Sequence, residues 1–114
     1  WSRGSGLTAP LRLDSAAAIA AAQLARTELG LTGGQLIANP IPVADEIPAA
    51  EMAKAIEQAT AEADAQGVSG KAVTPFLLDR IFHITEGRSL VANIALVRNN
   101  ARLAAEIAKE ITAS

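Results

Sequence analysis

The run Gln35-Leu36-Ile37-Ala38 lies between Gly33-Gly34 and Asn39-Pro40-Ile41-Pro42 and constrains the fold of this chain more than any other segment. A short apolar run bounded by glycine on one side and Asn-Pro on the other reads as a strand buried in a parallel or mixed sheet. A strand cannot stand alone, because its backbone donors and acceptors need neighbours on at least one edge. No other segment carries the same signal. The sequence therefore predicts one strand at 35–38, with partner strands supplied by polypeptide upstream of Trp1.

The rest of the chain reads as loop and helix. Gly4, Gly6 and Pro10 keep the first ten residues irregular. Asp14 or Ser15 can cap a helix that runs through an alanine-rich stretch to about Leu29, where Gly30 supplies the stop. Pro40, Pro42 and Pro48 hold the following segment extended. A second helix is expected over 49–65, with Met52, Ala55, Ile56 and Ala59 on one face and Gly67 and Gly70 ending it. Thr74-Pro75 reads as an N-cap followed by the first helical residue, opening a third helix to about Thr85. After Gly87, Ser89 can cap a last helix that reaches about Ile111.

Composition sharpens this. Half the residues are apolar, but 26 are alanine and only three are aromatic. Alanine favours helix and close helix contact, yet buries little area per residue. A core built this way is thin, which predicts a segment that leans on something larger. The net charge of −2 offers no basic footprint for nucleic acid. No apolar run approaches the roughly 20 residues that a membrane helix needs. The absence of cysteine removes disulfides and thiolate chemistry and fits a reducing, cytoplasmic setting.

Few residues suit chemistry. Asn93, Val97 and Asn100 fall on one stripe of the last helix. Leu90, Ile94 and Leu96 around them predict that the stripe faces inward. A half-buried asparagine needs partners for both halves of its amide, and a neighbouring backbone or a bound ligand would each serve. Asn39 follows the C-terminal end of the expected strand, where ligands collect in open α/β sheets; it can equally cap the turn that the prolines fix. Ser2-Arg3-Gly4-Ser5-Gly6 has the composition of a phosphate loop, but no helix N-terminus follows it, which favours a structural loop. His83 has only Asp79, one turn back, to orient it and reads as a helix-face residue. Lys71 lies in a glycine turn and reads as solvated, as does the acidic pair Asp45-Glu46. One histidine and no cysteine leave no metal-binding spacing and no hydrolase triad.

Three strings carry a family resemblance: Gly33-Gly34-Gln35-Leu36-Ile37-Ala38-Asn39-Pro40-Ile41-Pro42, Gly70-Lys71-Ala72-Val73-Thr74-Pro75-Phe76-Leu77-Leu78, and Asn93-Ile94-Ala95-Leu96-Val97-Arg98-Asn99-Asn100-Ala101. In order and spacing they resemble the C-terminal part of the pseudouridine-5′-phosphate glycosidase, or indigoidine synthase A-like, family, from Ser2 to about Glu110. The resemblance implies an α/β fold in which the chain is the C-terminal segment of an α/β/α sandwich, forming residues 1–114 of one larger domain whose catalytic part precedes Trp1. It implies cleavage of a carbon–carbon glycosidic bond to give uracil and ribose 5-phosphate, reversibly. A Schiff-base lysine, a general-acid glutamate and a manganese-holding aspartate would all lie outside this chain. It also implies a homotrimer, and a substrate contact at Asn93. An amide there suits a uracil edge, which presents donors and acceptors together. The isolated segment is expected to be inactive. The alternative is a helical packing or assembly module with no catalysis of its own.

Overall fold

The structure, a computed structural model, describes residues 1–114. It contains four α-helices: α1 (Ala16–Glu28), α2 (Ala49–Ala65), α3 (Val73–Ile84) and α4 (Arg88–Ala113), with 3₁₀ turns at Val43–Asp45 and Gly70–Ala72. The chain forms two compact units. One holds Trp1–Ser5 and Pro40–Leu96; the other holds Gly6–Asn39 and Val97–Ser114. No helix is long and apolar enough to cross a membrane.

The expected strand at 35–38 is not there. The segment has no regular structure, and Leu36 is 96% exposed. The physical reason is the one that made it informative in the sequence. Strand geometry is held by a ladder of hydrogen bonds to another strand, and nothing among these residues offers one. The chain is helical, and neither the sheet nor the sandwich is confirmed by it.

The first unit owes its core to α2 and α3. Met52, Ala55, Ala59 and Ala63 recur at helical spacing along α2, and all are buried. Ile81 of α3, Ala92 of α4, and Ile41 and Ile47 of the proline-rich segment complete the cluster, with Trp1, Leu77, Ile84 and Leu96 packed at its edge. The small side chains along α2 allow α3 to approach closely, which is the packing use of alanine. The first three residues tie into the proline-rich segment. The Ile47 N–H donates to the Trp1 carbonyl at 3.1 Å, the Ser2 hydroxyl donates to the Ile47 carbonyl at 2.6 Å, and the Arg3 guanidinium donates to the Ile41 carbonyl at 2.6 Å.

In the second unit Ser15 caps α1 by accepting from the Ala18 N–H at 3.1 Å. Ile19 and Ala20 are its buried residues. Leu7, Leu11, Leu29, Leu31 and Leu36 are all exposed, so this unit buries few of its large apolar side chains.

Helix ends follow one local rule and break it once. Beyond the C-caps of α1 and α2, Gly30 and Gly67 take positive φ. Each donates its N–H to the carbonyl three residues back, and the next residue donates to the carbonyl five back. This is the Schellman arrangement, and glycine fills the left-handed position without steric cost. Beyond α3 the same two bonds form, from Glu86 to His83 and from Gly87 to Phe82, but the left-handed residue is Glu86, at φ 52°. A β-carbon there is strained. Glu86→Gly is therefore expected to raise stability by about 0.5–1 kcal/mol, net of the extra freedom that glycine adds to the unfolded chain. Urea unfolding of the two proteins checks this, and a loss of stability would show that Glu86 does more than end the helix.

The starts of α3 and α4 differ from the sequence reading. The 3₁₀ turn at 70–72 runs directly into α3, which begins at Val73 with Ala72 at its cap position and no side-chain cap. Thr74 thus lies inside the first turn. Pro75 follows it, still among the positions whose N–H has no helical partner. Ser89 does not cap α4. Instead its N–H donates to the Thr85 hydroxyl at 3.1 Å, and that hydroxyl donates to the Ile81 carbonyl at 2.7 Å. One buried threonine closes α3 and opens α4.

Candidate functional site

The turn from Thr85 to Gly87 joins α3 to α4, and the Thr85 hydroxyl ties it to Ser89. Leu78 and Phe82 are four apart on α3, and Leu90 and Asn93 are three apart on α4, so each pair shares a face. With Trp1 and Ser89 they line a pocket of about 170 Å³. Its polar groups are mostly spoken for. The Trp1 indole Nε1 donates to the Ser89 carbonyl at 3.0 Å, and the Ser89 N–H goes to Thr85. The pocket's apolar lining is Leu78, Phe82 and Leu90, which are exposed to solvent. The polar side chains at the pocket are the Ser89 hydroxyl and the Asn93 amide, and the amide makes no hydrogen bond within the chain. A neutral molecule with a polar edge fits such a surface better than an anion does, because none of the six lining side chains carries a positive charge.

Asn93 is thus placed in a cleft, but by a different route from the one its spacing predicts. The stripe of Asn93, Val97 and Asn100 faces outward, with Val97 58% exposed. The face that turns inward carries Ser89 and Ala92, which are buried, followed by the half-buried Leu96, Asn99, Leu103 and Ile107. The helix has apolar residues on both faces, since Leu90, Val91 and Ile94 match Leu96, Leu103 and Ile107 in hydropathy. Periodicity alone could not choose between the two.

The other candidates separate. Asn39 neither caps a turn nor reaches toward Asn93; its amide Nδ2 donates to the Asn100 Oδ1 at 3.0 Å. This bond gives both asparagines a structural role in the second unit. Arg3 is engaged with the Ile41 carbonyl, so the glycine-rich first loop is structural. Glu46 is not simply solvated, since its carboxylate accepts the Arg3 N–H at 3.0 Å. His83 is a helix-face residue, 58% exposed at its side chain, with Nδ1 2.8 Å from the Asp79 carbonyl and its ring edge-on to Phe82. Lys71 is exposed in the 3₁₀ turn. Two ion pairs, Arg80 with Glu62 and Arg88 with Glu51, link α2 to α3 and to α4. Hydrogen bonds to Glu62 from Arg80, and then from Gln58, hold its carboxyl below the usual range. No group of three or more His, Cys, Asp or Glu side chains is placed to hold a metal ion.

Sequence reasoning missed Trp1, Phe82 and Thr85. Phe82 had a usable signal, its four-residue spacing from Leu78 on a helix. Trp1 and Thr85 had none, because their roles depend on contacts 88 and four residues away that only the folded chain reveals.

Comparison with known proteins places this geometry in context. The family model described as "Indigoidine synthase A like protein" matches residues 1–110. A protein of Paracoccus denitrificans named pseudouridine-5′-phosphate glycosidase is 68% identical over 108 residues, covering 95% of this chain and 36% of the relative. One of the same name from Roseobacter denitrificans is 59% identical over 114 residues, covering the whole chain and 37% of the relative. Among solved structures, the prealnumycin C-glycosynthase AlnA in complex with ribulose 5-phosphate superposes with a TM-score of 0.87 at 28% identity, covering 98% of this chain and 37% of that one. The chain spans little more than a third of the length of the curated relatives it matches.

Proposed function

The chain belongs to the indigoidine synthase A-like family, and we propose that it is the C-terminal part of a pseudouridine-5′-phosphate glycosidase. The supporting observation is the 68% identity across 95% of the chain to a relative of that name. The reaction takes pseudouridine 5′-phosphate and water to uracil and ribose 5-phosphate, and it is reversible. The bond cleaved is carbon–carbon. Its leaving atom has no lone pair to protonate, so the paired carboxylates of ordinary glycosidases suit it poorly. Opening of the sugar and a Schiff base with a lysine suit it better.

In this reading the lysine, the general-acid glutamate and the manganese site belong to the larger part of the enzyme. The residues of this chain do not fit a metal ion, since no cluster of three potential ligands exists, and no step is routed through one. What this chain contributes is one wall of the substrate site, with the Asn93 amide as its polar contact. The segment at 35–38, irregular and exposed here, would pair as a strand of an α/β/α sandwich in the complete enzyme. The leucines exposed on the second unit are covered in the same way. A cytoplasmic homotrimer completes the proposal. The curated relatives are named for pseudouridine 5′-phosphate, and the solved neighbour is a prealnumycin C-glycosynthase in complex with ribulose 5-phosphate.

The complete enzyme should release uracil from pseudouridine 5′-phosphate, and the 114-residue chain alone should release none. Chromatography of the reaction mixture reads both. A complete enzyme that leaves pseudouridine 5′-phosphate intact would overturn the proposal, and activity of the isolated chain would overturn the division of labour.

A further inference from the structure

We propose that Trp1 is a positioning residue for the reaction: its indole N–H, by holding the Ser89 carbonyl, fixes the turn of α4 from which Asn93 meets the substrate. The proposal rests on the activity and the Asn93 contact proposed above, and deepens them by naming the group that aims Asn93.

The Trp1 Nε1–H donates to the Ser89 carbonyl at 3.0 Å, across 88 residues of sequence. In an α-helix each N–H goes to the carbonyl four residues back. Within α4 the Ser89 carbonyl is therefore the backbone acceptor for Asn93. One oxygen, with two lone pairs, receives both the Trp1 indole and the Asn93 backbone. The helix itself does not need the indole. Its bond at this carbonyl is complete without it, and the Ser89 N–H is held by the Thr85 hydroxyl at 3.1 Å. The N-terminal segment does not need it either. The Trp1 carbonyl accepts from the Ile47 N–H, the Ser2 hydroxyl donates to the Ile47 carbonyl, and Arg3 donates to the Ile41 carbonyl. Ile41 and Ile47 are both 2% exposed, so these ties are set in the core. What the indole adds is a fixed distance between that anchored segment and the peptide group that carries Asn93. A tryptophan side chain turns about only two torsions, so a bond at its far end transmits the position of its backbone. The Asn93 side chain makes no hydrogen bond within the chain, which leaves its helical turn to aim it.

The test is a double-mutant cycle in the complete enzyme. Trp1→Phe keeps an apolar ring and removes the N–H. It should lower kcat/KM for pseudouridine 5′-phosphate about three- to tenfold, the worth of one neutral hydrogen bond. In an Asn93→Ala background the same change should cost less than about twofold, because the group that Trp1 aims is gone. Replacing Trp1 by its benzothiophene analogue, which keeps the ring's shape and lacks only the N–H, should reproduce the loss, and it decides the matter if Trp1→Phe does not fold. Ser2→Ala removes a neighbouring tie that ends on Ile47 rather than on α4, and should leave kcat/KM within about twofold. A loss from Trp1→Phe that persists in full without Asn93 would mean that Trp1 acts through the fold or by a contact of its own, and the positioning role would be overturned. Unchanged kcat/KM in the benzothiophene variant, or an equal loss in Ser2→Ala, would overturn it as well. If Asn93→Ala alone had no effect, the role of Trp1 would fall together with the Asn93 contact. If the unaltered enzyme released no uracil, the proposed activity itself would fail, which is a separate result.

Discussion

In the complete enzyme, Asn93→Ala is expected to lower kcat/KM for pseudouridine 5′-phosphate by about ten- to a hundredfold while leaving the melting temperature close to that of the unaltered protein. Both halves of the expectation come from the geometry. The Asn93 side chain makes no hydrogen bond inside the chain and is exposed at the pocket, so removing it breaks nothing that holds the fold. It lies one turn beyond Ser89, where two hydrogen bonds lock the start of α4: Trp1 to the Ser89 carbonyl, and the Ser89 N–H to Thr85. An amide on a helix fixed this firmly has few ways to turn aside. Bonds to a neutral ligand are worth about 0.5–1.5 kcal/mol each, and losing two of them gives the stated range. Asn100→Ala should act on stability instead, because Asn100 is held by Asn39 rather than placed at the pocket. Steady-state kinetics and a thermal melt on each variant make the comparison. Unchanged kcat/KM in Asn93→Ala would remove it from the site, while the family assignment would stand on its own ground.

The sequence made the helices legible because their signals are local. The bounds of α2 are those its proline and glycine flanks predict, and Ser15 caps α1 as its position suggests. The strand was illegible in a deeper sense. The apolar run at 35–38 carries the right residues, but strand formation depends on a neighbour, and the chain does not contain one. Thr74 shows a milder version of the same limit. Thr-Pro is a sound start signal, yet the 3₁₀ turn ahead of it had already committed the backbone to helix. The orientation of α4 was undecidable for a third reason, since two apolar stripes share one helix and only the burial of Ser89 and Ala92 in the first unit selects between them. The candidate site divided along the same line. Asn93 could be singled out as a residue, but its surroundings required Trp1, Leu78 and Phe82 to be brought from other parts of the chain.

Ile81→Ala is expected to destabilise the enzyme by about 3–5 kcal/mol, the upper part of the range for removing a branched aliphatic side chain from a core. The size follows from what surrounds it. Ile81 is 3% exposed and packs in a cluster that includes Ala59 and Ala92. The cost of a cavity depends on how far its walls can collapse into it. An alanine has no side-chain torsion with which to move inward, so adjustment falls to Ile41, Ile47 and Met52 and to the residues at the edge of the cluster, Trp1, Leu77, Ile84 and Leu96. Of these Met52 is the most adaptable, which keeps the expected loss finite rather than fatal. Ile56→Ala is the matched comparison. It removes the same atoms from α2, but from a side chain that is 40% exposed, and should cost about 1 kcal/mol or less. Urea unfolding of both variants, read by helical circular dichroism, separates the two. Similar losses at the two positions would mean that the α2–α3 contact is not the thin, alanine-lined core described here, and that the close approach of these helices carries less of the stability than their burial implies.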